Sequence, residues 1–150
     1  MCLILFRFRP RTDEPLLIAA NRDEFHQRAS AAAQFWDSEP QILAGKDLVA
    51  GGTWLGCSKQ GRFAALTNFT QQGQATFPKS RGELVHGFLA DTQSVKDYAL
   101  SIKGEEYAGF NLLLFDGERL LYTTNISQPD QPRSRLLPAG DYGLSNTELG

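Results

Sequence analysis

Cysteine, histidine and methionine are scarce in this chain of 150 residues, which holds two, two and one of them. Cys2 and Cys57 are too few for a disulfide framework and too far apart for a metal-ligand pair. With only His26 and His86 to join them, no metal site and no cofactor is expected. No apolar run approaches the ~20 residues of a membrane span. Nor does a basic stretch precede a long apolar one, so no secretory signal is expected and a cytoplasmic location is the default. The formal net charge of −2 lacks the concentrated basic charge on which nonspecific nucleic-acid binding rests. Arg7, Arg9 and Arg11 alternate, as the solvated face of one strand and turn does. A hydrophobic content of 41% at this length suits one globular domain spanning residues 1–150.

The pattern is strands, then helices, then strands. Apolar runs 2–8 and 15–20 flank the turn formers Pro10 to Pro15, which predicts an antiparallel hairpin. A turn centred near Arg11-Thr12 would set Cys2 opposite Asn21 and bring Arg22 and Asp23 beside it. Residues 26–50 lack clear periodicity, and Ala29–Ala33 with Pro40 suggest a loop leading to a short strand near Ile42–Ala44. A second hairpin joins 53–58 to 62–68 and brings the doublet Gly51-Gly52 to the same end as Asn68. Gln71–Thr76 reads as a polar loop, and Ser80-Arg-Gly-Glu83 has the form of a capping box opening a helix over 80–90. A second helix over 93–103 carries Val95, Tyr98, Ala99 and Ile102 on one face. Asp116-Gly117 marks a hairpin between 110–115 and 118–124. A long loop over 126–141 then leads to a strand that presents Asn146 at its end. The composite is an α+β layered domain of antiparallel pairs with helices on a sheet face. The final residues Tyr142–Gly150 run into a turn rather than a closing element, so the chain is expected to be the N-terminal part of a longer domain.

Cys2 is the residue on which chemistry could rest. Removal of Met1, which the small Cys2 side chain permits, would put a thiol and a free α-amine on one residue. A free thiol titrates near ~8.5 and a free α-amine near ~7.7–8.0, so at neutral pH modest local fields decide which form each such group takes. Nucleophile and base would then stand together, as in other N-terminal nucleophiles. The plain alternative is a small apolar residue opening a strand. Gly51-Gly52 likewise reads either as a close backbone approach to a ligand, with Trp54 as a flat apolar wall, or as a chain reversal beside a core tryptophan.

Met1-Cys2, Ala20-Asn-Arg-Asp-Glu24, Gly51-Gly-Thr-Trp-Leu-Gly56, Leu66-Thr-Asn-Phe69, Ser80-Arg-Gly82, Gly109-Phe-Asn-Leu-Leu113 and Leu144-Ser-Asn146 stand in the order found in the NRDE family. On these blocks the chain resembles that family, the one of the transport and Golgi organisation protein 2. The resemblance implies an N-terminal nucleophile hydrolase-like αββα sandwich of two antiparallel sheets between helices, incomplete here at the C-terminus. Through a more distant similarity to cysteine-type bile-salt and penicillin acylases it implies site roles. Cys2 would attack a non-peptide amide, Arg22 and Asp23 would hold its thiolate and amine, and Asn68 and Asn146 would complete the site. Asn21, Gly51, Gly52 and Trp54 would line the substrate position. The same resemblance supports a second expectation: a noncatalytic binding or trafficking protein for an apolar ligand, lipid or haem, linked with Golgi organisation or metabolite handling. Haem would be held by His26, His86 or a cysteine.

Overall fold

The computed structural model describes residues 1–69, 75–127 and 129–150, and among them ten strands and two helices. A small sheet has the order β10-β1-β2, with β1 at Leu3–Phe8, β2 at Leu16–Asn21 and β10 at Gly140–Leu144. A seven-stranded sheet runs in chain order through β3 (Ser30–Phe35), β4 (Ile42–Asp47), β5 (Leu55–Ser58), β6 (Phe63–Asn68), β7 (Phe110–Phe115), β8 (Leu120–Thr124) and β9 (Ser134–Leu136). Every strand pairing is antiparallel.

The period-2 alternation of strand side chains builds the layers. Ala64, Leu66, Leu112, Leu114 and Leu121 point to one face, where α1 (Gly82–Ala90) and α2 (Val95–Ser101) cover them with Leu84, Val85, Phe88, Leu89, Val95 and Tyr98. Ala65, Leu113, Phe115, Leu120 and Tyr122 point to the other, against Ile4, Phe6, Phe8 and Leu144 of the small sheet. β7 and β8 are thus buried on both faces, which is why their sequence is nearly continuous in apolar residues. The described residues form three layers: helices, large sheet, small sheet. The architecture is α+β with antiparallel sheets, and it is mostly strand.

Four expectations need correction. The first hairpin pairs Leu3 with Asn21, one residue away from the register expected. Its turn centres on Thr12, whose hydroxyl donates to the Arg9 carbonyl at 2.8 Å beside Arg11 at φ 66°, so Cys2 does not face Asn21. Residues 30–35, expected as loop, are strand β3; it is a largely exposed edge strand, so backbone pairing with β4 defines it and no buried stripe marks it in the sequence. The loop expected over 126–141 contains β9, a second exposed edge strand paired to β8. Ser80 does not cap α1 through its side chain: Arg81 is the residue before the helix, and Glu83 N–H donates to the Ser80 carbonyl.

Other expectations hold. β5 and β6 pair in the expected register, Cys57 opposite Phe63 and Leu55 opposite Ala65. Ser94 Oγ accepts the Asp97 N–H at 3.1 Å and opens α2, which is shorter than 93–103. The turn between β7 and β8 spans Asp116–Arg119, with Gly117 at φ 98° and the Asp116 carboxylate accepting the N–H groups of Glu118 and Arg119. Of the polar loop Gln71–Thr76, residues 71–74 lie outside the described residues.

Candidate functional site

A cavity of about 640 Å³ opens between the two sheets at the end where β1 begins and β6 stops. Its inner wall is apolar, from Ile4 and Ile18 of the small sheet and Leu55 and Phe63 of the large one. Its mouth is polar and charged, formed by the segment after β2 (Arg22, Asp23, Glu24, Arg28), by Asp47 at the end of β4, and by Arg81 before α1. Cys2, Asn21, Trp54 and Asn68 line it as well.

Cys2 is tied down on three sides. Its sulfur accepts the Asp23 N–H at 3.3 Å, and the Asp23 carbonyl lies 3.8 Å from the same sulfur. Its backbone N–H donates to Asn146 Oδ1 at 2.8 Å, and Asn146 Nδ2 donates to the Asn68 carbonyl at 2.8 Å. One side-chain amide therefore joins the start of β1 to the end of β6. The Asp23 carboxylate pairs with the α-ammonium of Met1, and Asn21 Nδ2 donates to the Met1 carbonyl at 3.1 Å. In β6, Leu66 N–H donates to the Trp54 carbonyl and Phe69 N–H to Gly109, so strand alternation turns the Asn68 N–H away from β7.

Asn146 is itself held from below by a buried polar cluster. Tyr122 Oη donates to Asn111 Oδ1 at 2.7 Å, and Asn111 Nδ2 donates to the Thr147 carbonyl at 2.5 Å. Thr67 Oγ1 donates to the Ser145 carbonyl at 2.6 Å. Asn111, Thr67 and Tyr122 are all buried, so the segment carrying Asn146 is fixed from both sides of its position.

Arg22 does not reach the Cys2 sulfur by a hydrogen bond. Its guanidinium stacks 4.0 Å from the Trp54 ring and its Nη2 lies 3.3 Å from Glu24 Oε2. Trp54 fits against Gly45, where any Cβ would stand 2.9 Å from two of its ring atoms. Gly51 and Gly52 lie outside the cavity lining. Gly51, at φ +83°, lets the chain reverse after β4. A Cβ on Gly52 would come within 2.6–2.9 Å of the Gly82 backbone, so this glycine permits close approach by α1.

Four charged residues of the mouth had no place in the expected site: Glu24, Arg28, Asp47 and Arg81. Arg28 binds Asp47 Oδ2 through Nε at 3.1 Å and Nη2 at 2.6 Å. Burial opposes the charge on Asp47, but Arg28 and the N–H groups of Val49 and Ala50 outweigh it and hold the carboxyl below the usual aspartate range. Arg81 donates from Nη1 to the Gly109 carbonyl at 2.9 Å, and burial pulls its pKa down, with Glu24 favouring its charge and Arg28 opposing it. Glu24 and Arg81 stood within the quoted blocks; Arg28 and Asp47 belonged to the aperiodic stretch, where nothing in the sequence marked them.

Among the described residues no three or more His, Cys, Asp or Glu side chains come together as a metal site. His86 pairs with Glu39 and lies 5.0 Å from the Trp36 ring, outside the cavity lining. No helix among the described residues is long and apolar enough to cross a membrane.

A family model described as Transport and Golgi organisation 2 matches residues 1–150. The chain is 41% identical over 163 aligned residues to the Transport and Golgi organization protein 2 homolog of Homo sapiens, covering 99% of this chain and 58% of that protein. The Mus musculus homolog is 40% identical with the same coverage. The Drosophila melanogaster Transport and Golgi organization protein 2 is 29% identical over 128 residues, 75% of this chain and 45% of its own. The chain thus spans 58% of the length of the mammalian relatives it matches.

Proposed function

The chain belongs to the Transport and Golgi organisation 2 family, and from that premise we propose that it is a cysteine N-terminal nucleophile amidohydrolase acting on a small non-peptide amide. The observation that carries this reading is the position of Cys2. Cys2 lines the cavity, and its nitrogen is held by Asn146, which also reaches Asn68.

In this reading an aminopeptidase removes Met1, and Asp23, freed from the Met1 ammonium, orients the new α-amine of Cys2. The thiolate attacks the amide carbonyl carbon. The α-amine, having taken the thiol proton, delivers it to the departing nitrogen as the C–N bond breaks, and water, giving a proton to the same amine, then hydrolyses the thioester and a proton returns to the sulfur. The Asn68 N–H and the second hydrogen of Asn146 Nδ2 serve the oxyanion, a role in which one donor is worth about 10²–10³ in rate. Asn21 and Trp54 position the substrate, and the apolar wall between the sheets takes its acyl part. Arg22 acts through the charge it holds on the Trp54 face, while Gly51 and Gly52 shape the wall from behind. In this reading the four-layer hydrolase sandwich is the parent fold, and the reaction is cytoplasmic.

The test is hexanoyl-p-nitroanilide with the Met1-free chain. Nitroaniline release and a hexanoyl mass increment, both abolished by Cys2→Ala, support the hydrolase. A Met1-free chain that shows neither is not this enzyme.

A second reading has its own support. Met1 occupies Asp23, and Arg22 is committed to Trp54 and Glu24, an arrangement that serves a binding protein for an apolar ligand such as a lipid. Ligand binding unaffected by Cys2→Ala, without turnover, favours that reading.

A further inference from the structure

The charges around the cavity can be matched one by one. Of the three carboxylates that line it, Asp23 pairs with the Met1 ammonium, Glu24 with Arg22 and, at 4.0 Å, with Arg28, and Asp47 with Arg28. Arg81 is then the cation of the lining that no carboxylate reaches within ion-pair distance among the described residues. It is half-buried, and the one hydrogen bond of its guanidinium among the described residues uses Nη1 on a neutral carbonyl. Burial weighs against its charge, Glu24 favours that charge without touching it, and Arg28 repels it. A partly buried guanidinium costs free energy unless an anion meets it, and its planar fork suits carboxylate and phosphate oxygens.

We infer that Arg81 receives an oxyanion group, a carboxylate or a phosphate, carried by the molecule that fills the cavity. This deepens the reading above and rests on its cavity, though not on its chemistry. The occupant then has three parts: an apolar portion against Ile4, Ile18, Leu55 and Phe63, a reactive or neutral centre near Cys2, and an anionic end at Arg81. Glu24 and Asp47, already matched by arginines, leave no free negative charge for a cationic end at the same mouth.

The experiment is calorimetric titration of the chain carrying Cys2→Ala, which forms no thioester, so a failed hydrolase reading leaves the result intact. The probes are N-hexanoylglycine, its methyl ester and N-hexanoyl phosphoethanolamine. At least one anionic probe should bind about 10–100-fold more tightly than the ester, the range of a charge-assisted hydrogen-bond pair. A tighter glycine probe names a carboxylate, and a tighter phosphoethanolamine probe names a phosphate. Adding Arg81→Met should erase the preference and leave ester affinity unchanged, while Arg81→Lys should restore part of it. Equal affinity for acids and ester, no binding of either acid, or an equal loss for all probes on Arg81→Met overturns the inference. If Arg81→Met unfolds, as circular dichroism would report, the acid-to-ester ratio on the parent protein decides alone.

Discussion

Asn146 Oδ1 accepts the backbone N–H of Cys2 at 2.8 Å although the two residues stand at opposite ends of the chain. The contact exists because β10 pairs with β1, Ile4 opposite Leu144, so the residues just beyond Leu144 pass beside the start of β1. Asn146 then spans the gap between the sheets to Asn68.

Asn146→Ala removes both bonds of this bridge. A net contribution of about 0.5–1.5 kcal/mol per hydrogen bond gives an expected loss of about 1–3 kcal/mol in urea unfolding. Thr147→Ala should cost far less, since Asn111 meets that residue through its backbone carbonyl. Equal unfolding midpoints for parent and Asn146→Ala would show that the bridge contributes nothing.

Gly52→Ala is expected to destabilise by about 1–3 kcal/mol, as overpacking does when backbone must shift. The added methyl would meet the Gly82 backbone, which cannot rotate away as a side chain could. Gly61→Ala is the contrast: that glycine has nothing within 4 Å and loses only its φ +78° freedom, a cost of about 1–2 kcal/mol. The discriminating readout is the packing of α1, through the amide-exchange protection of Leu84 and Val85. Protection should fall for Gly52→Ala and hold for Gly61→Ala.

Acid should weaken the mouth through Asp47. Its folded pKa is depressed below the ordinary 3.8, so its ionised form adds stability that is fully present above that value and lost as pH falls through the lower, folded one. The gap in unfolding free energy between the parent and Asp47→Asn should therefore be constant from pH 7 to 5 and shrink below about pH 4. A gap that stays constant down to pH 2 would show that Asp47 has no such coupling.

Arg62 tests a buried cation outside the site. It is buried, its Nε donates to the Phe88 carbonyl at 2.9 Å near the end of α1, and its Nη2 has no partner among the described residues. Arg62→Met keeps apolar bulk where the stem lies and removes both the guanidinium 3.7 Å above the Phe88 ring and its desolvated charge, so it should cost about 1 kcal/mol. Arg62→Ala also empties the space between β6 and α1 and should cost about 2–4 kcal/mol. Equal losses for the two variants would mean that the charge, and not the packing, stabilises this corner.

The Asn-Arg-Asp-Glu block made the neighbourhood of Cys2 legible, because a hairpin of that length returns the chain to its own start. The register differs by one residue from the expected one, since a single left-handed residue at Arg11 moves the turn centre, and composition does not record that choice. The edge strands β3 and β9 were illegible for a different reason. A strand exposed on both faces carries no alternation, and only its hydrogen-bonding partner makes it a strand. Arg28 and Asp47 carry no local signal, because their role lies in a pairing across residues that the sequence does not order.

By itself the sequence determined the local elements whose hydrophobic period or turn chemistry is strong: the three hairpins, both helices, and the α+β class. Each of these is set by contacts among residues near one another in the chain. Only the tertiary structure decided that one amide of Asn146 bridges Cys2 to Asn68, that Arg22 turns to Trp54, that Gly52 serves α1, and that Arg81 faces the cavity without a carboxylate. Those outcomes depend on how two sheets stack and which strand ends share a rim, and sheet stacking is fixed by side chains far apart in sequence packing together.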